Sequence, residues 1–327
     1  MIFNRRIYTP ILAGFLGLSL LLYLLKAPQL PTAAEPLIFY STNSKDDLRL
    51  LYVEALSQAK GSLFVKSYGL TDPEMLALLS KKAEQGCKTT VIYDRDGSGS
   101  APAALSPLVT AVAVKGKGLM HQKICLINSN LCLLGSANFT PSSLRMHDNI
   151  VIGIHSEEIC TFLREQKKNY IEVLERVECY ILPNDKALRA ICKAIDSAKK
   201  EICIAIFTFT HQEIVENLKA AHNRGVRVTV AIEKTTAFGA SKKIVDDLEK
   251  SGITVKISEG LQLLHHKWIW IDETTLIVGS ANLTRSAFEK NCDCVLLIHS
   301  LTKKEQNVIK KIWRKLLSHP LIGTIYL

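Results

Sequence analysis

Proline is scarce in this chain, 10 in 327 residues, and acidic residues fall short of basic ones, 31 against 41. The first shortage, with 47% apolar and 22% charged residues, argues against disorder outside one linker and predicts a folded globular body. The second leaves a net charge of +10, which favours anionic partners: nucleic acid, phospholipid head groups or another phosphate ester. The paired cysteine knuckles of a zinc site are also missing. The nine cysteines are odd in number, and Cys125, Cys132 and Cys203 sit inside apolar runs. They therefore read as buried thiols of a reducing compartment, not as a disulfide framework. Cys292-Asp293-Cys294 alone does not make a metal site, so neither a metal nor a cofactor is expected.

Charge is absent altogether from residues 11–25, which are flanked by Arg5-Arg6 and Lys26. Only with residues 7–10 included does that run approach the roughly 17–25 residues a membrane helix needs. It reads as a single-pass signal anchor, ahead of a signal peptide cleaved near Thr32-Ala33-Ala34 or a helix docked on the body. Residues 27–36, with three prolines, read as the linker after an anchor. Arg5 and Arg6 would keep the N-terminus cytoplasmic and send the rest across the membrane, against the lean of the thiols. The expected segments are 1–36 for anchor and linker, 37–178 for a first lobe and 179–327 for a second.

What is present is one short pattern, twice. His121-Gln122-Lys123-Ile124-Cys125-Leu126-Ile127-Asn128 runs on to Gly135-Ser136-Ala137-Asn138. His265-His266-Lys267-Trp268-Ile269-Trp270-Ile271-Asp272 runs on to Gly279-Ser280-Ala281-Asn282, at a constant offset of 144 residues. The context repeats too. Residues 46–59 and 72–85 read as helices and 62–68 and 89–93 as strands. In the second half the helices are 186–199 and 211–223 and the strands 201–208 and 226–232. Internal duplication follows, and the fold class is α/β. The halves differ in one place: residues 96–107 read as a loop, and their counterparts at 241–250 as a helix. A loop beside a site often sets substrate choice.

In a strand, residues two apart share a face, so His121 stands beside Lys123 and His265 beside Lys267, with Gln122 and His266 turned away. The apolar residues that follow suit a strand buried on both faces, Trp268 and Trp270 as core. Glycine at 135 and 279 allows close backbone approach, which returns Ser136, Asn138, Ser280 and Asn282 towards the histidines. Such a set suits phosphodiester cleavage. One histidine can attack phosphorus and form a phosphohistidine, and the other can protonate the leaving oxygen and later deprotonate water. Lys123 and Lys267, with the serines and asparagines, can hold the phosphate oxygens without a metal. Each histidine needs an acceptor on its second ring nitrogen. Asp148 and Asp293, each just before an apolar strand, are the candidates, and the remaining histidines read as structural.

The two strings resemble the signature of the phospholipase D superfamily, His-x-Lys-x4-Asp-x6-Gly-Ser-x-Asn, across residues 38–315. The resemblance implies two α/β/α lobes about a pseudo-twofold axis, one active site at their seam, and a ping-pong reaction. It also implies His121 as nucleophile and His265 as acid. Position 128 departs from the pattern, Asn where Asp is usual, and the resemblance gives that residue a bracing role. The motifs fit a membrane-associated phospholipase D releasing phosphatidic acid and an alcohol. They fit equally an endonuclease on DNA or RNA, or a cardiolipin synthase-like phosphatidyl transferase. A binding module with a dead site would have lost a histidine or lysine, and none is lost. Both motifs lie in one chain, so no oligomer is required.

Overall fold

Each motif lysine opens a strand in which all five residues are buried, because an apolar side chain follows at every position and both faces have something to pack against. These strands become the middle of two sheets. The computed structural model describes residues 28–259 and 262–318. The apolar run at 11–25 lies outside them, and among the described residues no helix is long and apolar enough to cross a membrane.

The first sheet comprises β1 (Leu37–Ser41), β2 (Ser62–Ser67), β3 (Lys88–Asp94), β4 (Thr110–Val114), β5 (Lys123–Ile127), β6 (Leu131–Gly135) and β7 (Ile150–His155). Its helices are α1 (Leu48–Ser57), α2 (Pro73–Glu84), α3 (Pro141–Arg145) and α4 (Glu157–Glu165). The second sheet comprises β8 (Tyr170–Val173), β9 (Val177–Ile181), β10 (Glu201–Ile206), β11 (Arg227–Ile232), β12 (Thr254–Ile257), β13 (Lys267–Ile271), β14 (Thr275–Gly279) and β15 (Cys294–Ile298). Its helices are α5 (Asp185–Ser197), α6 (Gln212–Asn223), α7 (Lys242–Lys250), α8 (Arg285–Glu289) and α9 (Lys303–Ser318).

Strand order is β1-β7-β6-β5-β2-β3-β4 in one sheet and β12-β11-β10-β13-β14-β15-β9-β8 in the other, the same arrangement with β8 added. Even the register repeats: Ser67 pairs with Lys123, and Ile206 with Lys267. The fold is thus the duplicated α/β architecture that the repeat predicts. The expected boundary at 178/179 falls inside β9, and β8 already pairs with β9, so the chain changes sheets after α4. The edge strands β4 and β12 escape the sequence reading because they are short and carry exposed positions, so neither shows the buried pattern of a central strand. The stretch expected as a loop holds two short turns of helix, Arg95–Ser98 and Ala101–Ala104, opposite the longer α7.

Three apolar layers result. One lies between the sheets and includes Leu126, Leu134, Trp268, Trp270 and Leu296, closed by α4 and α9. The others lie outside, under α1 and α2 in the first lobe and under α5, α6 and α7 in the second. Trp268 meets Trp313 of α9 edge-on at 5.5 Å, an aromatic pair contributing about 1 kcal/mol beyond its buried area. The motif glycines serve this packing. A Cβ on Gly135 would lie 2.2 Å from the Ile150 carbonyl oxygen, and one on Gly279 2.1 Å from that of Cys294.

Candidate active site

The lead-ins to β5 and β13 are stitched across the two lobes by backbone bonds. His121 N–H donates to the Cys292 carbonyl at 2.8 Å, and Cys292 N–H to Leu119 at 2.8 Å. Reciprocally, His265 N–H donates to Asp148 at 2.9 Å, and Asp148 N–H to Leu263 at 2.8 Å. Gly118 is required here, because a Cβ would come within 2.0 Å of the Lys290 carbonyl oxygen. Acidic residues at the ends of β3 and β11 hold the same lead-ins from behind. Asp94 accepts from Met120 N–H at 3.1 Å, and Glu233 from Leu264 N–H at 2.8 Å. The sequence reading missed this pair, although an acid directly after the second strand of each half was the signal for it.

Each histidine is then held by a side chain of the other lobe. His121 Nδ1 lies 2.8 Å from Asp293 Oδ1, which also accepts from the Ser280 hydroxyl at 2.6 Å. His265 Nδ1 lies 2.9 Å from Oδ1 of Asn149, not of Asp148. The reason is register. The 144-residue offset that relates the motifs carries Asp293 onto Asn149 and Cys292 onto Asp148, so matching by residue type slipped by one position. Asp148 contributes its backbone to the bridge described above. Asn149 is itself fixed, accepting from Ser136 Oγ at 2.8 Å and donating from Nδ2 to the Ser143 carbonyl at 2.8 Å. Ser136 and Ser280 therefore orient the histidine partners, and their hydroxyls are not turned to a phosphate. Each also accepts a backbone N–H at 3.0 Å, from Ile150 and Cys294 respectively.

Lys123 and Lys267 are buried, their ammonium groups donating to the carbonyls of His121 at 2.6 Å and His265 at 2.9 Å. Lys123 also lies 5.3 Å from the centre of the Tyr68 ring, and Lys267 5.2 Å from that of Phe207. The same rings flank His121 and His265. These aromatics, just beyond β2 and β10, belong to the site and were not singled out from sequence. Asn138 and Asn282 follow the motif serines, and the Oδ1 atom of each is buried with no hydrogen-bond partner among the described residues. His147, read as structural, stands half-exposed with its ring 6.0 Å from that of His265.

So many cations in one buried place repel one another. Burial pushes Lys123 down to about 7, against the pull of Asp293 and Asp94. Burial and the charge of Lys123 push Lys267 well below the ordinary lysine value. Burial, Lys267 and Lys123 do the same to His265. His121 is lowered by burial and Lys123, with Asp293 opposing. Burial opposes ionisation of Asp293, but His121 and Lys123 outweigh it and leave its carboxyl below the usual range. A neutral imidazole donating Nδ1–H to an ionised carboxylate leaves Nε2 of His121 with a free lone pair.

Asn128 and Asp272 stand at the far ends of the motif strands. Asp272 accepts backbone N–H from Lys199, Lys200 and Glu201 at 2.7–2.9 Å. Asn128 accepts from Lys60 and Gly61, both at 3.0 Å, so the amide braces the same kind of turn as the carboxylate. All nine cysteines are free thiols, and no cluster of metal-ligating side chains occurs among the described residues.

The chain matches the family model described as "Cardiolipin synthase, PLD-like domain" over residues 52–171 and 191–316. It is 29% identical over 145 residues to the mitochondrial cardiolipin hydrolase of Homo sapiens, 43% of this chain and 57% of that one. It is 27% identical over 123 residues to a phospholipase D of Rickettsia conorii, 38% of this chain and 61% of that one. The chain thus spans under two thirds of the length of these relatives. In fold it is similar to the phosphatidylserine synthase of Haemophilus influenzae, with a TM-score of 0.69 at 14% identity over 91% of this chain and 90% of that one.

Proposed function

Because the chain belongs to the family of the cardiolipin synthase, PLD-like domain, we propose that it is a phospholipase D-type phosphodiesterase that cuts a phospholipid to phosphatidic acid and an alcohol. The observation that carries the reading is the crossed pair of histidines, each held at Nδ1 by the opposite lobe beside a buried lysine. The names of the relatives, cardiolipin hydrolase and phospholipase D, support a phospholipid over other diesters.

The unlike partners divide the labour. Attack by His121 Nε2 forms a nitrogen–phosphorus bond and leaves positive charge on the ring, which the Asp293 carboxylate stabilises. His265, held by the neutral Asn149 and lowered by burial, Lys267 and Lys123, takes up its proton together with the anionic substrate, whose charge offsets the lysines, and gives it up readily. It protonates the leaving alkoxide as the phosphorus–oxygen bond breaks. Water then attacks phosphorus, His265 takes a proton from it, and the nitrogen–phosphorus bond breaks to release phosphatidic acid and free His121. Lys123 and Lys267 hold the equatorial oxygens, and the phosphate in turn favours their charged forms.

The test is to incubate the protein with labelled phosphatidylcholine, cardiolipin, single-stranded RNA and DNA, with and without EDTA. Phospholipid hydrolysis that survives EDTA is expected, and cleavage of nucleic acid alone would sink the reading. His121→Ala should abolish turnover, by roughly a thousandfold or more, and form no adduct. His265→Ala should slow release and accumulate phosphohistidine in rapid-quench samples. Adduct in the first variant and none in the second would reverse the roles. We further propose that residues 11–25 attach the protein to a membrane, which cell fractionation with and without that run would check.

A further inference from the structure

A groove of about 560 Å³ lies away from the catalytic histidines, between α9 and the turn after β1, walled by Asn43, Lys45, Lys310, Lys311, Arg314 and Lys315. α9 is built for two tasks. Ile309, Ile312, Trp313 and Leu316 form one buried stripe, while the basic residues at 310, 311, 314 and 315 fall on the other side. Lys310 is paired with Glu273 at 2.7 Å, and Lys311 reaches the Ser44 carbonyl at 3.3 Å. Lys45, Arg314 and Lys315 have no acidic partner among the described residues. Three uncompensated cations in one groove are an anion site in charge.

Asn43 adds an independent sign. It is 1% exposed, yet its amide nitrogen has no hydrogen-bond partner among the described residues. Its amide oxygen is engaged on the inner side, 2.6 Å from Nε2 of His266, next in sequence to His265, and accepting from the Ser41 hydroxyl at 3.4 Å. A buried donor left over on the wall of a cationic groove suits an acceptor oxygen from outside the protein, since a buried N–H left unmet is destabilising.

The occupant follows from the sequence that precedes and follows the described residues. The chain enters the described fold at residue 28 after the uncharged run 11–25, and Glu35 soon after it pairs with Lys304 in the first turn of α9. At the other end Ser318, the last described residue, lines the groove, and Leu321, Ile322, Ile325, Tyr326 and Leu327 follow in sequence. A cationic groove in a chain whose sequence is apolar both before and after the described residues matches a bilayer surface, where charge meets head groups and apolar residues meet acyl chains. A nucleic-acid track would have no use for the apolar flanks.

We propose that this groove seats the head group of an anionic phospholipid, as a docking site separate from the diester-cutting site. The proposal does not depend on which diester is cut. Its test uses the full chain carrying His121→Ala, so that no lipid is consumed. The protein is offered a mixture of phosphatidylcholine vesicles and phosphatidylcholine–phosphatidylglycerol vesicles carrying different dyes, and its distribution is read by flotation. The parent should prefer the anionic vesicles. Lys45→Ala, Arg314→Ala and Lys315→Ala together should cut that preference by roughly a hundredfold, at about fivefold for each cation near an anionic surface. In a chain with His121 intact, the same three changes should leave hydrolysis of a soluble diester unchanged. No preference in the parent would overturn the proposal, as would a preference that survives the triple change. Loss of RNA binding or of inorganic phosphate binding in the triple variant, with vesicle preference intact, would assign the groove to those anions instead.

Discussion

Lys123 illustrates how the site costs the fold stability. Burial holds its amine down to about 7, while the unfolded chain carries an ordinary lysine. Between those two values the unfolded state binds more protons, so this residue destabilises the protein at neutral pH and the penalty fades as pH rises. Lys123→Met keeps the volume and removes the charge. We expect its urea midpoint at neutral pH to exceed that of the parent by the equivalent of about 1–3 kcal/mol, with the gap narrowing towards alkaline pH. Turnover should fall by roughly a hundredfold or more, as a cation facing the developing charge is lost. A variant less stable than the parent at neutral pH would contradict this account. The lysines themselves were legible in the sequence because they sit two residues from a histidine in a repeated string. Tyr68 and Phe207, which lie over them, were not, because a single aromatic at a strand end has no local pattern.

At the scale of an element, the far ends of β5 and β13 show why position 128 tolerates a departure. Both Asn128 and Asp272 adopt the left-handed conformation, φ 55° and 50°, which Asn and Asp accept more easily than other side chains. Both then receive backbone N–H groups from the turn before β2 or β10. Burial works against the Asp272 charge, but the N–H groups of Glu201, Lys199 and Lys200 outweigh it and hold the carboxyl low. Its stabilisation is present above the ordinary aspartate value and is lost as pH falls through the lowered one. Asp272→Asn should therefore lower the neutral-pH urea midpoint by the equivalent of about 1–2 kcal/mol, and the deficit should shrink in acid. Asn128→Asp should leave diester hydrolysis within roughly twofold of the parent, since the residue lies at the opposite end of its strand from the histidine. A large loss of turnover would place position 128 in the chemistry after all.

At the scale of the molecule, one chain assembles both halves of the site, and neither half is complete alone. His121 lacks its carboxylate without the second lobe, and His265 lacks its amide without the first. Mixing the His121→Ala and His265→Ala proteins should therefore restore no activity in a hydrolysis assay. Recovery on mixing would show that lobes exchange between chains or that sites form across them. The backbone bonds at Met120–Cys292 and Asp148–Leu264 argue for one rigid seam. The repeated spacing of elements explains the shared strand order of the two sheets, and the sequence repeat makes it legible. The entry of β8 into the second sheet was not legible, because a four-residue strand with one buried position has too little pattern.

By itself the sequence determined the duplication, the buried motif strands and the pairing of histidine with lysine. Each of these rests on local patterning, periods of two and a fixed offset, which no tertiary contact can alter. Only the tertiary structure decided that Asn149 rather than Asp148 holds His265, and that Ser136 and Ser280 serve the histidine partners. The contacts of His265 with Asn149 and of His121 with Asp293 join residues 116 and 172 positions apart, and they depend on how two sheets meet. A shift of one residue there exchanges a charged partner for a neutral one, and with it the chemistry each histidine can perform.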